Sequence, residues 1–452
     1  TITLGTAGDL VAKAGSLVDV SGAAAGGDAG LLAISTSGAS GLLNLDGTIS
    51  ASAQTGFRQG SALLDLAAAA NFSAINAKLN QAGFGESRDI RVRIGDLTIA
   101  GENPLTQRPG DVVMANHFKL SADRGSINIG GTIDASGSSG GGSIELDAMN
   151  DVNLAGGSFL LARGTSAAGG AADAYSHGGS VAISSRTGKL NMAAGAVVDV
   201  SANATGKSNG GTVTFSAQRT VNVSGSDVDV AMNLAGSVNV GAGTNGGQPG
   251  MVTVEGVHGY DGITDTAIAS AAGSVMMTDY QSFVGNSASI LARLTGQGLS
   301  LRGSDPASSL RVSGGVELRS SDDMVVSSAW DLASADWMPA ANPGRLTLRA
   351  PGNLTVLSAI GLPNDDLANA RSWDVRLVGG ADLGAADAMA VRAPVNGVFS
   401  GDVVVANRSV FAYTNRSLGQ GTWTDKASRS RTGTGNIGSS AGRAFIIGDG
   451  TN

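Results

Sequence analysis

Gly142-Ser143-Ile144-Glu145-Leu146, Gly179-Ser180-Val181-Ala182-Ile183 and Gly211-Thr212-Val213-Thr214-Phe215 are one phrase written three times: Gly, then Ser or Thr, then apolar residues at every second place. Eight or nine residues after its first apolar position comes an apolar-Asn-apolar triplet: Val152-Asn153-Leu154, Leu190-Asn191-Met192 and Val221-Asn222-Val223. A third apolar piece follows a further Gly, at 159–161, 197–200 and 228–230. Alternation with period two makes each piece a short, half-buried strand. None is long enough to bury a core alone. Stacked copies are, and that is the logic of a β-solenoid.

The corners support this reading. Strand pieces ending in Asp-x-Ser recur at Asp19-Val20-Ser21, Asp134-Ala135-Ser136 and Asp199-Val200-Ser201. Each is followed by a small-residue loop and then by the next Gly-rich strand start. The loops differ in length (22–30, 137–142, 202–211) while the flanking pattern holds. A coil tolerates such variation, because the entropy of loop closure grows slowly with length.

Composition narrows the classes. Gly accounts for 69 of 452 residues, about twice the ~7% average, and charged residues for 15% against a norm of ~25%. Tight corners, a thin core and a surface made soluble by Ser, Thr and Asn follow. A net charge of −8 argues against nucleic acid or an anionic membrane as partner. The absence of Cys excludes a disulfide framework and thiolate metal sites. No apolar run approaches the ~18 residues of a membrane span. The chain opens in mid-pattern at Thr1 and ends after a strand-like run, so the expectation is a piece of a longer polypeptide.

In order, residues 1–62 read as solenoid rungs and 63–100 as a helix-containing insertion with a return to strands. Within the insertion the spacing predicts a helix over 67–81, with Phe72, Ile75 and Leu79 on its buried face and Gly83 as its stop. Residues 101–256 form the regular solenoid, and 257–298 an irregular, partly helical insertion. Here a short helix over 283–294 would bury Ile290, Leu291 and Leu294. Residues 299–452 continue the solenoid, with short strands expected at 299–301, 310–312, 316–318 and 324–326. Pro339, Pro343, Pro351, Pro363 and Pro394 keep its loops out of the sheet.

Several segments resemble the shared C-terminal region of filamentous-haemagglutinin-family outer-membrane exoproteins, the large surface filaments exported by two-partner secretion. The matching stretches are 72–79 with 86–97, 125–137, 343–356, 372–387 and Arg431-Thr432-Gly433-Thr434-Gly435-Asn436-Ile437. The resemblance implies an all-β, right-handed parallel β-helix with short helical or irregular insertions. It also implies a secreted or cell-surface place in a Gram-negative bacterium, as part of an adhesin or biofilm matrix fibre. Expected partners are other surface or matrix proteins, copies of the chain itself, host or environmental glycans, and an outer-membrane secretion partner.

Solenoids of this shape also include polysaccharide lyases and hydrolases, whose chemistry needs carboxylates held close on one face. The acidic pairs are Asp322-Asp323 and Asp365-Asp366, with Asp261 and Asp265 near Tyr260. All lie among Gly, Ser or Pro, where Asp is favoured for turn hydrogen bonds alone. His177 and His258 read as exposed loop residues, and nothing pairs them with His117. No catalytic, cofactor-binding or metal site is assigned, and no cofactor is expected. The reading is a structural and adhesive protein, with a carbohydrate-active enzyme as the alternative.

Two geometric expectations follow. Rungs of about 25 to 35 residues stacked ~4.8 Å apart give a rod of roughly 60 to 90 Å. Alternation places the Asn of each apolar-Asn-apolar triplet (Asn44, Asn128, Asn153, Asn191, Asn222 and Asn239) on the outer face, where successive amides can stack and bond.

Overall fold

Alternation decides the first element of every round of the chain. In the strand Ser143–Ala148, Ile144, Leu146 and Ala148 are buried. Ser143 pairs in parallel with Ser180, and Ser180 with Thr212. The same relation runs from Ile2–Thr6 to Asp374–Gly379, giving twelve strands of one large sheet, each parallel to the next. After the large-sheet strand the chain enters a second sheet (Val152–Leu154, beside Leu190–Met192) and then a third (Phe159–Leu161, beside Val197–Asp199). It then returns to the large sheet. Strand is 41% and helix 11%, so these parallel sheets carry the architecture.

The computed structural model describes residues 1–38, 41–69, 71–165, 175–332, 334–338, 343–361, 373–393 and 401–405, and the backbone of Thr422–Thr424, Ser430–Thr432 and Ala444–Ile447. Asp365, Asp366, Pro339, Pro363, Pro394 and most of the Arg431–Ile437 stretch lie outside the described residues.

Both corner signatures have a physical cause. A Cβ on Gly179 would lie 2.0 Å from the carbonyl oxygen of Gly142, and one on Gly211 1.9 Å from that of Gly179. The backbones of successive rounds touch here, so no side chain fits. At the end of the third strand, Asp134 and Asp199 each accept a hydrogen bond from the backbone of Ser136 and Ser201, both at 2.9 Å. Asp19 does the same for Ser21 at 2.8 Å. These are Asx turns, which bend the chain back toward the large sheet.

Helices replace strands in two rounds. The first, α1 (Phe72–Ala82), follows the large-sheet strand Ser61–Leu66 and begins five residues later than the spacing suggests. Phe72, Ile75 and Leu79 are buried, and Gly83 ends the helix at φ 89°. The helix lies against Leu43–Leu45 and Thr48–Ser50 on one side and Leu97–Ile99 and Val112–Met114 on the other. It therefore fills the gap where its own round lacks a second and third strand. Beneath it Arg88 is buried, bonding the Phe84 carbonyl (2.8 Å) and the Asn76 amide oxygen (3.0 Å). Burial pulls the guanidinium down to about 10.

The second interruption contains α2 (Ala267–Ser270), α3 (Val275–Gly285) and α4 (Ser287–Gly296). One helix over 283–294 is thus two, parted at Asn286, with Ile290 and Leu294 buried in the latter. The rings of Phe283 and Tyr280 lie over Gly256 and Gly314, where a Cβ would approach to 2.2 and 2.5 Å. Tyr280 also meets Trp337 and Trp373, at 5.7 and 5.0 Å between ring centroids.

Three further expectations change. The segment 310–318 is one strand, Leu310–Arg319, not two. Residues 221–223 and 228–230 are not the second and third strands of their round. Strand Thr212–Val221 turns at Asn222, whose side chain accepts from the backbone of Ser224 and Ser226, and returns antiparallel as Asp227–Val230. Met232–Leu234 and Ser237–Asn239 take the expected places.

Last, the large sheet is not straight. Asp382 accepts from Arg91 through its carboxylate and from Arg349 through its carbonyl. The strands carrying those arginines are seven neighbours apart, ~34 Å in a flat sheet at ~4.8 Å per strand. Two arginines and one aspartate do not span that distance. The sheet therefore bends toward its outer face.

Replacing Ile75 by Asp places an unpaired charge under α1, and the unfolding free energy should drop by about 3 kcal/mol. A denaturant midpoint equal to that of the parent chain would show that this helix face is not a buried one.

Candidate functional site

Three environments collect the polar side chains. The first is the outer face of the second sheet. Residues flanking each Asn turn inward and are fully buried (Ile127, Ile129, Val152, Leu154, Leu190, Met192), so the Asn must point out. Parallel register then sets equivalent amides one above the next. Asn153 donates to Asn128, Asn191 to Asn153 and Asn233 to Asn191, each at 2.9 Å. Gln297 at the end of α4 adds a donor to Asn233 at 3.3 Å. A shallow groove of about 700 Å³ follows this ladder across five strands, from Thr98 to Asn233. Its lining is Asn, Gln, Thr, Gly and apolar side chains, with no ionisable group. Each ladder amide retains a hydrogen and a lone pair for a neutral ligand.

Of the expected Asn positions, Asn128, Asn153 and Asn191 join the ladder and three do not. Asn44 bonds Asp46 at 2.9 Å, Asn222 holds the hairpin turn, and Asn239 stands in the third sheet, accepting from Gly241 at 3.2 Å. Asn233 was hidden because the hairpin displaces the repeat. The signal was present as Met232-Asn233-Leu234.

The second environment is the concave outer face of the large sheet. Glu317, buried, is held by Arg186 at 2.6 Å and Arg349 at 3.0 Å. Arg345 bridges Glu255 at 2.7 Å and Asp374 at 2.8 Å. The loop 380–392 closes over this face: Asp382 pairs with Arg91, Asp387 with Lys119 at 2.8 Å, and the Ala386 amide donates to Asp123 at 3.0 Å. Burial alone would raise the Glu317 carboxyl, but Arg186 and Arg349 outweigh it and hold it down to about 2. Sequence reading missed this layer. Outward charges at alternate positions look like a solvated face until the bend brings distant strands together.

The third environment lies beside α3. Asp227, buried, pairs with Arg219 at 3.1 Å and with the His258 ring at 2.7 Å. His258 stacks on Tyr260 at 4.3 Å, and the Tyr260 hydroxyl donates to Asp279 at 2.8 Å. His258 is thus a half-buried residue of strand Met251–Asp261, not a loop residue, and Tyr260 precedes the turn. Arg219 lies over the Phe283 ring at 4.9 Å. Every charge in this group has a protein partner that positions α3 and the hairpin, which is a structural task.

The other acidic candidates are scattered. Asp323 accepts from the Asn353 backbone, 30 residues on, at 2.6 Å, Asp261 pairs with Arg319 at 2.8 Å, and Asp265 accepts from the Ala267 amide at the start of α2 at 2.9 Å. His177 is a loop residue whose ring accepts from the Asn209 amide at 2.9 Å, and His117 bonds Ser143 at 2.9 Å. No family model, curated protein or solved structure matches this chain.

Leu190→Ala should cost about 2–5 kcal/mol as a buried cavity, and Asn191→Ala about 1–2 kcal/mol as two lost ladder hydrogen bonds on a solvent-facing sheet. Equal losses in chemical denaturation would mean that the Asn carries the core.

For Glu317 the folded carboxyl sits below its ordinary value of 4.5. Its contribution is therefore present above that pH and is lost as pH falls toward about 2. Glu317→Gln should be less stable at pH 7 by on the order of 3 kcal/mol. In acid titrations the gap to the parent should close between pH 4.5 and 2; a gap independent of pH would show that the ionised carboxylate is not what Arg186 and Arg349 require.

Proposed function

We propose that this chain is a length of right-handed parallel β-helix from a large secreted surface or matrix protein of the filamentous-haemagglutinin kind, with a structural and adhesive role and no catalysis. The observation that carries the reading is the groove along the Asn ladder. It crosses five stacked strands, ~20 Å at strand spacing, and offers amides and apolar walls with no general acid, base or nucleophile. Such a surface suits a neutral, hydroxyl-rich chain such as a host or environmental glycan. The ordered return to three parallel sheets supports the β-helix, since connections of this type between parallel strands are right-handed in nearly all proteins. The resemblance in sequence supports a place outside a Gram-negative cell, reached through an outer-membrane secretion partner.

In this role the chain presents its grooves from a rigid scaffold, to glycans, to neighbouring matrix proteins or to copies of itself. A carbohydrate-active enzyme is the competing reading. On the charged outer face, Glu255, Glu317, Asp374 and Asp387 are each engaged by Arg or Lys, which weighs against it.

Incubating the chain with neutral and acidic polysaccharides separates the two. Retention on a neutral glycan, with no release of reducing ends or unsaturated sugars, is the expected outcome, together with antibody labelling of fibres at the cell surface by electron microscopy. Chain cleavage, or confinement of the protein to the cytoplasm, overturns the proposal.

A further inference from the structure

On the outer face of the large sheet, one buried carboxyl oxygen among the described residues has no donor. Asp147 is 7% exposed, and no donor reaches its Oδ2 atom. It stands beside Glu145 of its own strand and Asp387 of the overlying loop, and one oxygen from each of the three lies within 4.8 Å of the others. Lys119 is the cation in contact, at 3.1 Å from Glu145 and 2.8 Å from Asp387. Asp89 occupies the register position next to Lys119. Four carboxylates thus surround one ammonium. The nearest arginines are committed elsewhere, Arg186 and Arg349 to Glu317 and Arg345 to Glu255 and Asp374.

We propose that Asp147, Glu145 and Asp387 form a binding site for a divalent cation of the calcium class, which pins the 380–392 loop to the large sheet. The donor set is entirely carboxylate oxygen, which selects a hard cation over zinc or copper. Oxygens up to 4.8 Å apart can share one ion at the 2.3–2.6 Å of a calcium–oxygen bond. Glu145 is partly exposed, which leaves a path for the ion and for the waters that complete its shell. Without a cation, burial and the adjacent Glu145 and Asp387 carboxylates push the Asp147 carboxyl well above its ordinary range. The site is independent of the groove and of any adhesive role, because its oxygens lie on the large sheet and its covering loop, not on the second sheet.

Titration calorimetry of the full 452-residue chain with calcium chloride after EDTA treatment tests this, alongside thermal melting with and without the ion. One calcium per chain and a rise of several degrees in Tm are expected. Asp147→Asn should weaken binding at least tenfold and abolish the rise. Without calcium the variant should melt at or above the parent, because it keeps the shape and loses the repulsion. Asp387→Asn, on the loop side, should lose binding in the same way, whereas Glu102→Gln, on an exposed turn, should retain it. Failure of the parent to take up millimolar calcium overturns the proposal, as does binding that survives Asp147→Asn. So does a parent stabilised by acid alone and indifferent to calcium, which would assign the site to a shared proton.

Discussion

Parallel pairing in register between residues about thirty positions apart is the constraint from which the rest of this structure follows. Ile2 stands beside Leu32, Leu31 beside Ser61 and Gly315 beside Arg345. A one-residue slip anywhere would turn a buried row outward, so each round must bring the same side-chain types to the same lines. Small residues stack at the Gly142–Gly179–Gly211 corner, aliphatics inside, and amides along the second sheet. Differences in loop length are absorbed between strands, where they leave the register alone.

The bend in the large sheet is the second organising fact, and it changes what the outer charges do. On a straight stack they would sit in water, where an ion pair contributes little. Curvature brings Arg186 to Glu317 and Arg345 to Glu255 and removes them from solvent. Buried pairs carry a desolvation cost that offsets much of their attraction. The layer therefore acts more through geometry than through net stability: an unpaired member is costly, so strands, loop and bend must adopt one arrangement. The aromatic rings of Tyr280, Phe283, Trp337 and Trp373 occupy the complementary side, where Gly256 and Gly314 leave them room.

These two facts divide the surface. The second sheet presents a neutral face of amides and apolar walls. The large sheet presents a charged face covered by its own chain at 380–392.

Local periodicity identified most of the regular strands, because a half-buried strand shows its inward residues at every second position whatever lies beside it. Ser143–Ala148, Val152–Leu154 and Leu190–Met192 were legible for that reason, as were the Asx corners at Asp134 and Asp199 and the buried stripe of α1. The ladder was legible in part, since the facing of Asn153 follows from its neighbours. Its continuation to Asn233 and Gln297 does not, because a hairpin and three helices intervene in sequence. The ionic layer and the Asp147 cluster were decided by tertiary structure alone. Their members lie far apart in the chain, Lys119 from Asp387 and Arg186 from Glu317. The bend of the sheet and the covering loop join them, and no local pattern of residues encodes either.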